Sequence, residues 1–165
     1  MTLGLYDITV PPFIRGLKTL SAILEKGRLH ASADEASLIE SRLIADMGAL
    51  TFQIQRISDT AKGCAVRVAK IEPVAMEDNE TTFPELQARI TKTIEVLEKV
   101  DPKSMDGMED GEVVLKVRDG EKKLTGRNYV LNYAIPNFYF HLCMAYAILR
   151  KEGVPVGKAD YLGVA

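Results

Sequence analysis

ADMGALTFQIQRISDTAKGCAVRVAK, residues 45–70, carries the strongest periodic signal in the chain. Met47, Leu50, Ile54, Ile57, Ala61, Cys64 and Val68 recur in alternating steps of three and four. That spacing puts them on a single stripe of an α-helix, and a narrow apolar stripe with polar flanks is what a helix of a bundle presents to its neighbours. The expectation is therefore a bundle helix over residues 45–70, ended by Pro73, since the residue before a proline is pushed out of helical geometry.

Working outward, the N-terminal side offers a first helix over residues 9–32. Pro11 and Pro12 suit its first turn, where missing N–H groups cost little. Phe13, Leu17, Leu20 and Leu24 form its apolar face. A short helix over residues 35–40 follows. On the C-terminal side Glu72 to Thr82 is polar and unpatterned. Thr82 then starts a third helix, with Glu85 three positions on to complete a capping box and Pro84 in the first turn. Leu86, Ile90, Ile94 and Leu97 are its buried positions, and Asp101-Pro102 ends it.

Residues 107–125 change period. Val113, Leu115 and Val117 alternate with Val114, Lys116 and Arg118, and Asp119-Gly120 supplies a tight turn, the pattern of a β-hairpin. A fourth helix spans residues 128–152 and stops at Gly153, with Tyr161 and Leu162 available to pin the tail. The link before the third helix is about eleven residues and reaches roughly 35 Å when extended. A helix of ~25 residues is about 37 Å long. That link can nearly run the length of the bundle, so an up-down-down-up order is preferred to up-down-up-down. The fold class expected is all-α, a four-helix bundle with a small hairpin between helices three and four, as a single domain over residues 1–165.

Composition excludes several function classes. The chain has 165 residues, 47% of them hydrophobic and 27% charged, and a formal net charge of −2. This balance offers no general attraction to nucleic acid or to an anionic membrane. The pairs Arg67/Lys70 and Lys122/Lys123 read as solvated faces, as do Glu77-Asp78 and Glu109-Asp110. No run of ~18 apolar residues could span a bilayer. No secretory signal is expected, because Asp7 and two prolines interrupt the N-terminal stretch. Cys64 and Cys143 lack CxxC spacing and read as buried free thiols in a cytoplasmic protein.

NYAIPNFYFHLCMAYAIL, residues 132–149, poses the functional question. Pro136 interrupts an otherwise helical run, so the helix should kink there or restart. His141 follows one turn later and is one of two histidines in the chain. It sits beside the stripe Ile135, Phe138, Leu142, Ala145 and Leu149, so its ring nitrogens need partners. Asn137 is one turn away, and Gln53 or Thr60 can reach it from a facing antiparallel helix. The same groups, with Tyr133, could instead line a small-molecule pocket. His30 lies in a polar run and reads as a helix-end residue. The surplus of aromatic positions around this helix, Tyr139 and Tyr146 among them, suggests burial against a second subunit or the hairpin, and hence a homodimer.

The segments LYDITVPPFIRGLKTLSAILEK, TTFPELQARI and PNFYFHLCMAYAILRKEGVPVGKADYLG resemble a bacterial domain-of-unknown-function family. That family is placed in the DinB/YfiT-like superfamily of metalloenzymes. The resemblance implies a DinB-like bundle, often dimeric, and no characterised reaction. Many superfamily members hold a divalent metal through three histidines, one on the second helix and two spaced by four on the last. Here His141 matches the final one, Asn137 stands at the first of the pair, and Thr60 at the second-helix position. His141 is thus the only candidate metal ligand. A catalytic zinc site draws three ligands from His, Cys, Asp or Glu, so no metal or other cofactor is expected.

Two functional expectations follow. The first is a DinB-like bundle with a degenerate metal site that binds a small ligand or acts as a dimeric interaction protein, with His141, Asn137, Thr60, Gln53 and Tyr133 as its ligand-binding residues. The alternative is a divalent-metal-dependent enzyme, using zinc or nickel, related to thiol-dependent transferases and isomerases. No P-loop, GxGxxG, HExxH or GxSxG is present to support another chemistry.

Overall fold

The computed structural model describes residues 3–164. It is mostly helical, with one two-stranded antiparallel hairpin. Helix α1 spans Val10–Ala31 with Pro11 and Pro12 in its first turn, and Phe13, Leu17, Leu20 and Leu24 are fully buried. Helix α2, Glu35–Glu40, is capped by Asp34, which accepts the Ser37 N–H.

Helix α3, Leu50–Val68, buries Leu50, Ile54, Ile57, Ala61, Cys64 and Val68. It begins five residues later than its periodicity suggests, and Met47 lies outside it, half-buried in a folded loop. The loop has its own hydrogen bonds: Leu50 N–H donates to the Ser41 carbonyl (2.9 Å), and Arg42 Nη1 donates to the Met47 carbonyl (2.6 Å). Gly48, a poor helix residue, sits at the junction and offers its carbonyl to Gln53 Nε2 at 2.8 Å.

Helix α4, Phe83–Glu98, starts at the expected capping box. Thr82 accepts the Glu85 N–H, and Glu85 accepts the Thr82 N–H. Leu86, Ile90 and Leu97 are buried and Ile94 half-buried, but the same helix also buries Arg89 and Thr93. Strands β1, Glu112–Val117, and β2, Gly120–Thr125, pair with Val113 opposite Leu124 and Leu115 opposite Lys122. Val113 and Leu115 face the core, and Gly120 has the positive φ of 124° that the turn requires.

The last long helix resolves the question at Pro136. Helix α5, Gly126–Tyr129, runs into a π-helical turn over Val130–Ala134 and then into helix α6, Ile135–Lys151. The junction residues Tyr129, Val130, Ala134 and Ile135 all keep right-handed helical dihedrals, so the helix continues rather than restarts. Ile135 N–H donates to the Val130 carbonyl, the five-residue reach of a π turn. Widening the turn just before Pro136 accommodates a residue that has no N–H to offer.

Helix α7, Lys158–Leu162, closes the described chain against α1 and α6. Tyr146 meets Tyr161 edge-on (5.8 Å between ring centroids), and Tyr139 lies beside Tyr161 and Leu162 in a shallow hollow. These two aromatics therefore cover the tail rather than the hairpin, because α7 folds back over them. Cys64 is buried, and burial pushes its thiol up to about 12; Cys143 is exposed instead, its Sγ 3.2 Å from the Tyr161 hydroxyl.

The four long helices share one apolar core. Helix α3 packs on α4 and α6, and α1 packs on the same two. Phe13 stacks on Phe138 at 4.4 Å, and Gly16 lies under the Phe138 ring so closely that a Cβ there would sit 2.6 Å from it. Contacts between α1 and α6 advance together, Gly16 meeting Phe138 and Gly27 meeting Leu149. Those between α3 and α6 run oppositely, Thr60 meeting Asn137 and Gln53 meeting His141. Among the described residues no helix is long and apolar enough to cross a membrane.

Candidate functional site

The face of α3 turned to α6 carries two uncharged polar pairs. Asn137 Nδ2 donates to Thr60 Oγ1 at 2.7 Å, and that hydroxyl donates onward to the Arg56 carbonyl at 2.7 Å. One turn of α6 further on, His141 Nδ1 lies 2.8 Å from Gln53 Oε1. Gln53 Nε2 is already committed to the Gly48 carbonyl, so Oε1 faces the imidazole and Nδ1 carries the proton. The Nε2 lone pair is left free of protein donors among the described residues. Burial, then the nearby Arg56 charge, lowers the His141 pKa from 6.5 to about 4, so the ring is neutral near pH 7. Phe52 and Phe140 pack edge-on against it, at 6.0 and 5.1 Å between centroids.

The face of α3 turned to α4 is ionic. Arg89 is buried and donates to Asp59 (2.9 Å), to Glu80 (2.8 Å) and to the Glu77 carbonyl (3.0 Å), with Asp78 at 3.0 Å. Arg56 lies over the Phe52 ring and pairs with Asp59 and Asp78. Lys62, also buried, reaches the Val74 carbonyl and Asp59. The stretch between α3 and α4 is thus strapped to the bundle by three cations, although it has no regular structure. Asp78 is exposed, as its loop position suggests, and two guanidinium groups also reach it. Burial alone would raise the Glu80 pKa, but hydrogen bonds from Arg89 and Gln55 outweigh it and hold the carboxyl below its usual range.

Between these faces a cleft of about 530 Å³ opens along α3 and the π-helical turn. Thr60, Tyr133 and Asn137 line it, so three of the five residues singled out from the sequence meet at one cavity. Gln53 and His141 pair with each other and stand outside it. Sequence reasoning missed Arg56, Lys62, Arg67 and Tyr129, which also line it. Arg67 is half-buried rather than solvated, because its guanidinium rests over the Tyr129 ring at 5.7 Å; Lys70 remains exposed. A signal for this wall was present: Arg56, Thr60, Gly63 and Arg67 follow one another by four, three and four, a second helical stripe beside the apolar one.

The π turn shapes the opposite wall. In an α-helix a residue four positions on overshoots a full turn by about 40°. A wider turn absorbs that overshoot, and Tyr129, Tyr133 and Asn137, each four apart, all reach the cleft. Tyr129 and Tyr133 stack at 5.8 Å with planes 25° apart.

A family model described as a domain of unknown function, DUF1993, matches residues 5–162. The chain belongs to DUF1993. A solved structure described as a DinB family member protein from Shewanella denitrificans, at 1.83 Å resolution, is 38% identical to it. The match covers 98% of this chain and 93% of that one, with a TM-score of 0.91. This DUF1993 chain therefore falls within the DinB-like superfamily. No curated protein matches it.

The superfamily resemblance implies a metal at three positions of this fold, and the donors present there can be set against that expectation. At the three positions this DUF1993 chain offers one imidazole, one hydroxyl already bonded on both sides, and one amide whose nitrogen faces the hydroxyl. Among the described residues no group of three or more His, Cys, Asp or Glu side chains is placed to hold a metal ion. Arg56 adds positive charge beside the imidazole. Such a set does not fit a divalent cation, which needs anionic or imidazole donors and a favourable field.

Proposed function

We propose that this DUF1993 protein is a single-domain, up-down-down-up bundle that binds a small molecule in the α3–π-turn cleft without a resident metal. The observation that carries this reading is the placement of the cleft. It lies against Thr60 and Asn137, where the superfamily resemblance sets metal ligands, and those two residues hydrogen-bond to each other. A cavity of some hundreds of Å³ with apolar walls and a few convergent polar groups is the usual form of a ligand site. The helix order is supported by the advancing α1–α6 contacts and the opposed α3–α6 contacts. Gln53 and His141 act in this reading as a neutral clamp that holds α3 to α6 beside the site. A cytoplasmic setting belongs to the same proposal and accords with two unpaired cysteines among the described residues.

Fragment screening by NMR on tag-free protein, with elemental analysis in parallel, tests it. Shifts confined to the amides of Gly63, Tyr133 and Asn137 in metal-free protein are the expected outcome. Stoichiometric zinc or nickel, lost in His141→Ala, would establish the metal-dependent alternative instead.

A second reading is a homodimer through the His141 face. Phe52 and Phe140 are 43% and 51% exposed and both contact the imidazole ring, forming one apolar surface. Light scattering at micromolar concentration should give twice the 18.2 kDa chain mass, and Phe52→Ser with Phe140→Ser should return it to one.

A further inference from the structure

The cleft carries a charge imbalance that narrows its ligand. Three of its lining residues are cations, Arg56, Lys62 and Arg67, and one is an acid, Asp59. Asp59 is already shared among Arg56, Lys62 and the buried Arg89. Arg67 has no carboxylate within 4 Å among the described residues. Its one side-chain hydrogen bond, from Nη1 to the Tyr129 hydroxyl, is long at 3.4 Å. The surplus is local, since the chain as a whole is weakly acidic.

The surroundings hold this guanidinium in place without neutralising it. Its guanidinium carbon lies over the Tyr129 ring, 5.7 Å from the centroid, a cation–π contact. Gly63 gives it room: a Cβ at that position would sit 2.2 Å from Arg67 Nη1. A planar guanidinium held against an aromatic ring with free N–H donors suits a carboxylate or phosphate. The remaining walls decide between them. Tyr133, Val66, Pro73 and Val74 offer apolar surface to the body of a ligand, and Asn137 adds an amide oxygen that no donor among the described residues occupies. No helix N-terminus or glycine-rich loop, the usual cradle of a phosphate, lines the cavity.

We infer that the cleft binds an organic monocarboxylate with a flat apolar body, its carboxylate on Arg67 and its body against Tyr133 and the Val66–Pro73 wall. This rests on the cleft being a ligand site and adds the ligand class. Discrimination comes from charge: a neutral ligand of the same shape leaves Arg67 without a counter-ion, whereas a carboxylate gains charge-assisted hydrogen bonds in a partly desolvated place.

The test uses matched pairs, 2-naphthoate with 2-naphthamide and benzoate with benzamide, plus inorganic phosphate, titrated into full-length protein and followed by amide shifts. Both carboxylates should move Gly63, Tyr133 and Asn137 and bind at least about tenfold more tightly than their amides. Arg67→Gln, which removes no ion pair of the fold, should erase that preference while a cooperative thermal transition shows that the variant stays folded. Equal affinity for acid and amide at those residues, or a preference that survives Arg67→Gln, overturns the carboxylate assignment and leaves the cleft a ligand site. Phosphate binding as tightly as naphthoate overturns the role of the apolar wall. Failure of every probe to move the cleft amides overturns the ligand site itself.

Discussion

Helix α3 meets its two neighbours by opposite means. Toward α6 it uses neutral hydrogen bonds, Thr60 with Asn137 and Gln53 with His141, set into an apolar seam. Toward α4 it uses a cluster in which Arg89, Arg56 and Lys62 meet Asp59, Asp78 and Glu80. The neutral pairs are hydrogen-bonded side chain to side chain between packed helices and need no counter-charge. The ionic cluster lies where an irregular segment must be fastened and where Asp59 and Asp78 keep partial contact with water. The contrast assigns different tasks: the neutral face orders two helices and leaves a cleft beside them, while the ionic face holds the long connection against the bundle.

The strongest attempt to break this contrast is Arg89→Met. It leaves Glu80, the most buried of the three carboxylates, without its guanidinium, and the cost should be about 3 kcal/mol, the low end for a broken buried pair because Asp59 and Asp78 remain part-hydrated. Urea unfolding measures it, and a loss below that of any neutral-face variant would reverse the ranking. Next comes Gln53→Leu, which strands the His141 N–H and the Gly48 carbonyl and should cost about 1–3 kcal/mol. Adding His141→Leu should recover part of that loss, since removing both partners is cheaper than orphaning one. Thr82→Ala removes one half of the α4 capping box and should cost about 1 kcal/mol without altering either face.

The smallest effect near neutral pH separates the faces by titration. His141 has a folded pKa of about 4 against an ordinary 6.5, so the unfolded chain binds the extra proton between those values. Its contribution is complete above pH 6.5 and declines as pH falls toward 4. Glu80 is depressed below the usual carboxylate value, so its contribution holds above about pH 4.5 and is lost further into acid. Melting curves in His141→Gln should lose the slope between pH 6.5 and 4.5 and keep the acid limb. Retention of the upper slope would show that His141 is not the group responsible.

These differences explain what could be read from residue order. The α3 stripe from Leu50 to Val68, the Thr82–Glu85 box and the Asp119-Gly120 turn are local patterns, and each stands where its pattern puts it. Met47 fits the same stripe but lies in a loop, because periodicity does not register Gly48 or the hydrogen bonds that Ser41 and Arg42 make to the segment. Level-matching of facing helices puts Gln53 opposite His141, but it also offers Asn137 and Thr60 to the imidazole, and those two bond to each other instead. Arg89 could not be anticipated: a lone arginine in an amphipathic helix reads as solvated, and its partners lie 30, 11 and 9 positions away in sequence. The π turn was equally hidden, since its dihedrals fall in the ordinary right-handed region and only the hydrogen-bond reach distinguishes it. Without it the alignment of Tyr129, Tyr133 and Asn137, and hence the α6-side wall of the cleft, had no signature.

The widened turn at Val130–Ala134 also acts as a slack link in the reading frame of the helix. Five residues in the wide turn sweep roughly the rotation that four cover at about 100° each, so one residue lost there would restore an ordinary helical repeat and leave the flanking segments in phase. Tyr129 would keep its side of the helix, and Asn137 and His141 would keep their partners on α3. The same loss a few residues further on would instead turn one face of the helix by about 100° against the other.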